Sequence, residues 1–474
     1  MNSILLKARR NYWVLIIFAL FLIANFSYLG SVPGLMGDEG SEGQNVFEIL
    51  KSKQVAVVGE RSYIGVLIDY VRIPFILGLG YNAFALRLPI VIASIVFFWM
   101  MLFLLKKTFG LMPAIFGLIL LTFSPIYLGE QRLAWAITLI PFFIATSIFF
   151  FYRESKYNFL LAGLFLGLGL SNHIIFLPSA VAVIVIFLIS LLFRGKKIIS
   201  TSLSNFWTGL ISFWAGFGIQ FAILQLFKED QGNPGKVAEL FSERFQNLPN
   251  LLPSLLSGSV YIARYSGQLL SQPNTFLIFY TLIFLTFLGL FISKQKKIYF
   301  LIIVGIVIHL VALLYIIDRY SLRYFVVFAL SVWLVSGLSL GFLLQKISIP
   351  LNFQKIIAIV LALILLFFSA NKILFPFLKT GGNTNNFPLG NREESAEALV
   401  DIKPLLSCIS DKKVFSENIH IRNRLTFLTN SNNKIKLVEN FKNADYIIEY
   451  RKDSVKNARE ICPTLINFKV SKKK

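Results

Sequence analysis

Histidine and cysteine are scarce in this chain, three of the one and two of the other in 474 residues. Neither occurs in an H-x-x-H or C-x-x-C spacing, so a nitrogen- or sulfur-ligated metal centre has no basis in the sequence. Carboxylates are the only ligands left for a divalent cation, and no pattern of them points to one. Charge is also sparse: Asp, Glu, Lys and Arg together make 15% of the residues, and they fall in clusters between long apolar runs. No internal repeat is visible and few ionisable residues fall within the runs, which argues against a transporter built from repeated halves around a mid-membrane site.

What is abundant is apolar surface. Hydrophobic residues make 56% of the chain and 48 residues are phenylalanine. No single water-soluble core absorbs that much, so the bilayer is expected to solvate most of it. The net charge of +22 does not indicate nucleic acid, because the lysines and arginines bracket apolar segments, as topology signals and headgroup contacts do.

A spanning helix needs about 20 mostly apolar residues. Eleven runs qualify, at about 12–30, 86–105, 109–127, 133–151, 158–172, 175–193, 204–226, 276–293, 298–317, 323–345 and 355–375. The first follows a basic N-terminus and has no clean small-x-small cleavage site after it, so it reads as an uncleaved helix. With the N-terminus inside, the short turns holding Lys106, Arg153, Lys196, Lys297 and Lys346 all fall on the cytoplasmic side, as the positive-inside rule requires. The long segments 31–85, 228–275 and 376–474 then lie outside. The expectation is a multi-pass plasma-membrane protein whose work is done at its outer surface.

The first outer segment carries "GLMGDEGSEGQNVF". Residues 38–52 read as a helix starting at Asp38, with Val46, Phe47, Ile49 and Leu50 as an apolar side suited to lying in the membrane interface. Residues 63–79, with Asp69, Arg72 and Pro74, read as a second interfacial helix. Taken alone, Asp38 is an ordinary N-cap, since Asp is among the best caps.

The order of the motifs says more. "MGDEGSEGQNVFEILKSK", "GERSYIGVLIDYVRIPFILGLG", "YNAFALRLPIVIAS", "SPIYLGEQRLAW", "GLFLGLGLSNHIIFLP" and "DRYSLRYFVVFAL" follow one another over about residues 10–345. Together they resemble the GT-C fold membrane glycosyltransferases, in particular the dolichyl-phosphate-mannose–protein mannosyltransferase superfamily, which includes the aminoarabinose transferase of lipid A. The resemblance implies an all-α polytopic membrane domain over residues 1–375, with about eleven transmembrane helices and interfacial helices in the loop 31–85. It implies transfer of a sugar, with inversion, from a polyprenyl-phosphate donor to a protein, lipid or glycan acceptor on the outer face. Asp38 matches the family's catalytic carboxylate and takes the role of general base. Glu39 is the adjacent acid, orienting the acceptor or ligating a metal. Glu130 and Arg132, in the second outer turn, are candidates to face the site; otherwise they form an i,i+2 pair. His173 stands where relatives place a lysine. Arg319, Arg323 and Tyr324 resemble the family's Arg-Tyr pair, and arginines on the outer side suit a phosphate. Arg61 is a weaker candidate, and Arg87 reads equally well as snorkelling to the interface. A lipid-linked sugar flippase, and a polymerase or ligase of surface polysaccharide, are the rival readings.

The loop 228–275 is long enough to cap a site, and Tyr261, Arg264 and Tyr265 within it suit contacts to sugar or phosphate. After a polar linker at 376–390, the alternation of helical and extended stretches in 391–474 suggests a small extracytoplasmic α/β domain. It holds Cys408 and Cys462, expected to form a disulfide in an oxidising compartment.

Overall fold

The computed structural model describes residues 12–53, 55–56, 59, 64–153, 155–192, 196–226, 234–266, 269–316, 322–380, 403–409, 412–416, 419–429, 436–438, 443–450 and 468–472. The chain starts with α1 (Tyr12–Phe26), and the first loop holds α2 (Gly37–Ser52) and α3 (Leu67–Leu79). Then come α4 (Ala83–Phe109), α5 (Leu111–Thr122), the short α6 (Pro125–Glu130), α7 (Ile140–Phe151), α8 (Lys156–Asn172), α9 (Leu177–Leu192) and α10 (Lys196–Leu226). The second long loop contains α11 (Pro234–Leu256) and α12 (Ser259–Ser266). The apolar set closes with α13 (Gln272–Ile292), α14 (Lys296–Ile316), α15 (Val326–Lys346) and α16 (Leu351–Ser369), followed by α17 (Phe375–Thr380).

Each of the eleven apolar runs is thus helical. Among the described residues six helices are long and apolar enough to cross a membrane, and shorter apolar helices account for most of the remaining runs. Polar residues set the ends. The Asn82 side chain accepts from the Ala85 amide at the start of α4, the usual N-cap bond. Gly110, at φ 94°, ends α4 and turns the chain into α5, a conformation that glycine adopts without strain. At the centre of the bundle, α15 is the most enclosed of the long helices. It meets α5 at glycine: a Cβ on Gly337 would lie 2.3 Å from the Phe116 carbonyl oxygen. Small residues at such crossings let helix backbones touch.

The C-terminal part has a small hydrophobic core of its own. It comprises α18 (Lys403–Cys408), β1 (Lys413–Phe415), α19 (Ile419–Thr429), β2 (Lys436–Leu437), β3 (Tyr446–Tyr450) and β4 (Phe468–Lys472). The sheet order is β2-β1-β3-β4, parallel except for the antiparallel β3–β4 pair. Leu405, Ile409, Val414, Leu425, Ile448 and Val470 are its core. The sequence alternation anticipates the helices and the first three strands but not β4. Cys408 is disulfide-bonded; Cys462, its expected partner, lies outside the described residues, as does most of the linker.

One expectation about the first loop needs correction. On the apolar side of α2, Val46 and Ile49 are buried against protein, while Phe47 and Leu50 are half-buried. Val46 is fully buried in a cluster with Leu35, Ile76, Ala83, Leu86 and Phe427 of α19. Hydrophobic periodicity shows that a face is covered but not by what, and here the cover is the C-terminal domain.

Candidate active site at the loop end of the bundle

Helix α2 starts at Gly37 with Met36 as its N-cap, so Asp38 is its second residue and not the cap. Its carboxylate turns across to the segment before α15: Asp38 Oδ2 accepts from Arg323 Nη1 at 2.6 Å. The two side chains are 26% and 18% exposed. The other ion pairs between described residues, Glu42–Arg72, Asp69–Arg72, Glu39–Arg87 and Glu130–Arg264, have side chains no more than 5% exposed. Solvent therefore reaches Asp38 while its acidic neighbours are enclosed.

Glu39 points the other way, as successive helical residues about 100° apart must. It is fully buried. Its Oε1 accepts from Arg87 Nε at 2.8 Å and from the Ala134 amide at 2.6 Å. Its Oε2 accepts from Arg87 Nη2 at 2.6 Å and from the Met36 amide at 2.9 Å. Arg87 also donates to the carbonyls of Leu29, Pro33 and Gly34. The sequence groups Glu39 with Asp38; the structure separates them and ties Glu39 into the scaffold. Nor does Arg87 snorkel, being wholly enclosed. One turn on, Glu42 and Asp69 accept from Arg72 Nη1 at 2.6 and 3.2 Å, and Arg72 Nη2 donates to the Ala134 carbonyl at 2.6 Å. Ala134 thus fastens the segment between α6 and α7 to both carboxylate networks.

That turn brings up the remaining groups. Glu130 pairs with Arg264 of α12, not with Arg132. Tyr265 donates to the Gly129 carbonyl, and Arg132 donates to the Ser27 carbonyl. Arg132 is buried and has no carboxylate partner among the described residues. Burial lowers its pKa to about 10, with Tyr265 opposing and Arg87 adding to the fall, so it remains a cation at neutral pH. The Arg323 guanidinium lies 5.3 Å and the Arg264 guanidinium 5.6 Å from the centre of the Trp135 ring. Such contacts favour a cation over an aromatic face. Arg323 also lies 5.6 Å from the ring of its neighbour Tyr324. The Trp135 indole N–H and the Arg132 Nε–H are buried and meet no acceptor among the described residues. In this cluster Arg87, Arg264 and Arg323 are each matched by a carboxylate, Glu39, Glu130 and Asp38, while Arg132 is a buried cation with no carboxylate partner among the described residues. An anion is the ligand such a place would take.

His173 is drawn into the backbone. It caps α8, its Nδ1 accepts from the Ile175 amide at 3.0 Å, and its main chain bridges to Ile64 of the first loop. Arg61 and Arg319 lie outside the described residues. No group of three or more His, Cys, Asp or Glu suited to a metal ion occurs among the described residues. Of the candidates named from the sequence, the structure brings Asp38, Glu130, Arg132, Arg264, Arg323 and Tyr324 together around Trp135 and Ala134. Sequence reading missed Trp135, which stands in "RLAW" with no pattern to mark it.

No family model matches this sequence, and no curated protein sequence matches it. Solved structures do match the fold. ArnT from Cupriavidus metallidurans bound to undecaprenyl phosphate superposes with a TM-score of 0.59 at 11% identity, over 93% of this chain and 93% of that one. The apo form of the same protein gives a TM-score of 0.57, with the same identity and coverage. With its apolar helices and its cluster of loops at one end, this chain is a multi-pass membrane protein of the GT-C fold.

Proposed function

We propose that this protein is an integral membrane glycosyltransferase. It moves a sugar from a polyprenyl-phosphate donor to an acceptor hydroxyl at the outer membrane surface, and Asp38 is the general base. The observation that carries the reading is the Asp38–Arg323 pair, which solvent reaches while the other ion pairs between described residues are enclosed, in a fold shared with a protein crystallised with undecaprenyl phosphate. The lipid tail keeps such a donor in the bilayer and its phosphate at headgroup height, so a site among loops at the end of the bundle suits it. The lysines and arginines of the opposite turns support an outside location for this end.

In the proposed reaction the acceptor oxygen attacks the anomeric carbon from the face opposite the phosphate. The new C–O bond forms as the sugar–phosphate C–O bond breaks, and Asp38 takes the hydroxyl proton. The leaving phosphate gains negative charge, which Arg132 and Arg323 stabilise. Arg323 has two partners to choose between. Drawn to the donor phosphate, it releases Asp38 Oδ2 to accept a proton. Glu39 serves as a positioning residue through Arg87. The enclosed ion pairs lie among the loops and, at Arg87, in the first turns of α4, and none lies midway along a span, which favours surface chemistry over the flippase reading.

The test is turnover of a polyprenyl-phosphate sugar by purified, reconstituted wild-type and Asp38→Asn protein. Loss of a general base costs about 10²–10⁴ in rate. Near-normal turnover by the folded variant would overturn the assignment of Asp38.

A further inference from the structure

We infer that α19 of the C-terminal domain holds α2, and with it Asp38, in position, making Phe427 and Arg424 positioning residues for the reaction proposed above. The inference rests on that reading only for its kinetic part.

The sequence of α2 is a poor helix by itself. Gly37, Gly40 and Gly43 fall within its first seven residues, and glycine is the weakest helix former apart from proline. A helix of this length is marginal in isolation, so packing must hold it. The packing comes from residues nearly four hundred positions away. Phe427 is fully buried, and it lies so close over Gly43 that a Cβ there would come within 2.6 Å of two of its ring carbons. Glycine at position 43 therefore leaves room for the ring. Tyr81 meets Phe427 edge-on at 5.7 Å, and Phe47 meets Tyr81 in the same way at 5.7 Å. Arg424, also fully buried, donates from Nη1 to the Leu35 carbonyl at 3.1 Å. Leu35 lies three residues before Asp38.

The face of α19 is specialised. Leu425 belongs to the core of its own domain, whereas Phe427 belongs to the cluster of the first loop, with Leu35, Val46 and Ile76. Arg424 and Phe427, three residues apart, share a helical face, and that face points at α2. Removing either side chain takes away the grip on the loop and leaves the domain core intact.

The experiment uses full-length Phe427→Ala, Phe427→Leu and Arg424→Gln proteins in lipid nanodiscs. Amide hydrogen exchange is followed in peptides spanning 37–52 and 446–450. Local opening of α2 should rise about tenfold or more in Phe427→Ala and Arg424→Gln, with β3 unchanged. Phe427→Leu should recover part of the protection. The kcat should fall about tenfold with little change in KM for the donor, because a displaced base slows chemistry more than binding. Unchanged exchange over 37–52 in both variants overturns the inference. If β3 also opens, Gly43→Val decides: its branched side chain, a weak helix former, wedges α19 off from the loop side, and failure to loosen 37–52 likewise overturns the inference. Faster exchange in a protein whose wild type transfers no sugar would support the clamp and count against the glycosyltransferase reading alone.

Discussion

Glu39→Gln separates the two adjacent acids of α2. The substitution keeps the size of the side chain and removes its charge. Four donors converge on the Glu39 carboxylate, two from Arg87 and one each from the Met36 and Ala134 amides. An amide offers one oxygen and one NH2, so the NH2 faces two of those donors and leaves them without an acceptor. Breaking a buried pair costs about 3–5 kcal/mol, and a stranded buried donor costs about 1–3 kcal/mol. Arg87 keeps its three carbonyl partners, which places the expected loss near the lower end, about 3 kcal/mol. The Asp38–Arg323 pair is partly open to solvent, and pairs of that kind contribute about 0.2–1 kcal/mol. Glu39→Gln should therefore unfold well below the wild type, while Asp38→Asn unfolds close to it and yet loses turnover. Intrinsic tryptophan fluorescence on heating, with turnover measured below each transition, reads both effects. A Glu39→Gln protein as stable as the wild type but inactive would refute the reasoning and return Glu39 to the chemistry.

Arg132→Gln should weaken binding of polyprenyl phosphate about 10- to 100-fold, since a hydrogen bond to a charged group contributes about 1.5–3 kcal/mol; a lipid-binding titration at fixed salt checks this. Gly337→Ala should destabilise the bundle by about 1–3 kcal/mol, because the new Cβ meets backbone and not a movable side chain. Gly218→Ala, where a Cβ meets nothing within 4 Å, should be neutral or slightly stabilising in the same thermal assay. Peptide mapping without reductant should recover Cys408 joined to Cys462, and recovery of a free Cys408 thiol would contradict it. A tag at Lys474 should be cut by protease added outside intact spheroplasts; protection until lysis would reverse the topology.

The helices were legible because a bilayer imposes a length and an apolar content that few other structures share. Boundaries were less so: α10 begins at Lys196, eight residues before its apolar run, since polar residues continue a helix that hydropathy cannot see. The two helices inside the loop 228–275 have too mixed a composition to show as spans. At the candidate site, the context of motifs singles out Asp38 as the residue to test. The division of labour between Asp38 and Glu39 was not legible, because it depends on which way each side of α2 faces. Trp135 and Arg264 come together only through the fold, from positions 129 residues apart with no shared motif. The cover over α2 was hidden for the same reason, as Phe427 looks like any core residue of a small domain.

The tie between Arg424 and Leu35 joins residues 389 positions apart, which has a consequence for the order of synthesis. At about 5–20 residues per second, some 20 to 80 s pass between the making of the first loop and the making of its last anchor. Through that interval α2 sits at the membrane surface without its final support, and Arg323 arrives 285 residues after Asp38. If Asp38 is the base and α19 the clamp proposed above, a chain still on the ribosome, or one truncated before α19, holds that base unsupported, and activity waits on completion of the polypeptide.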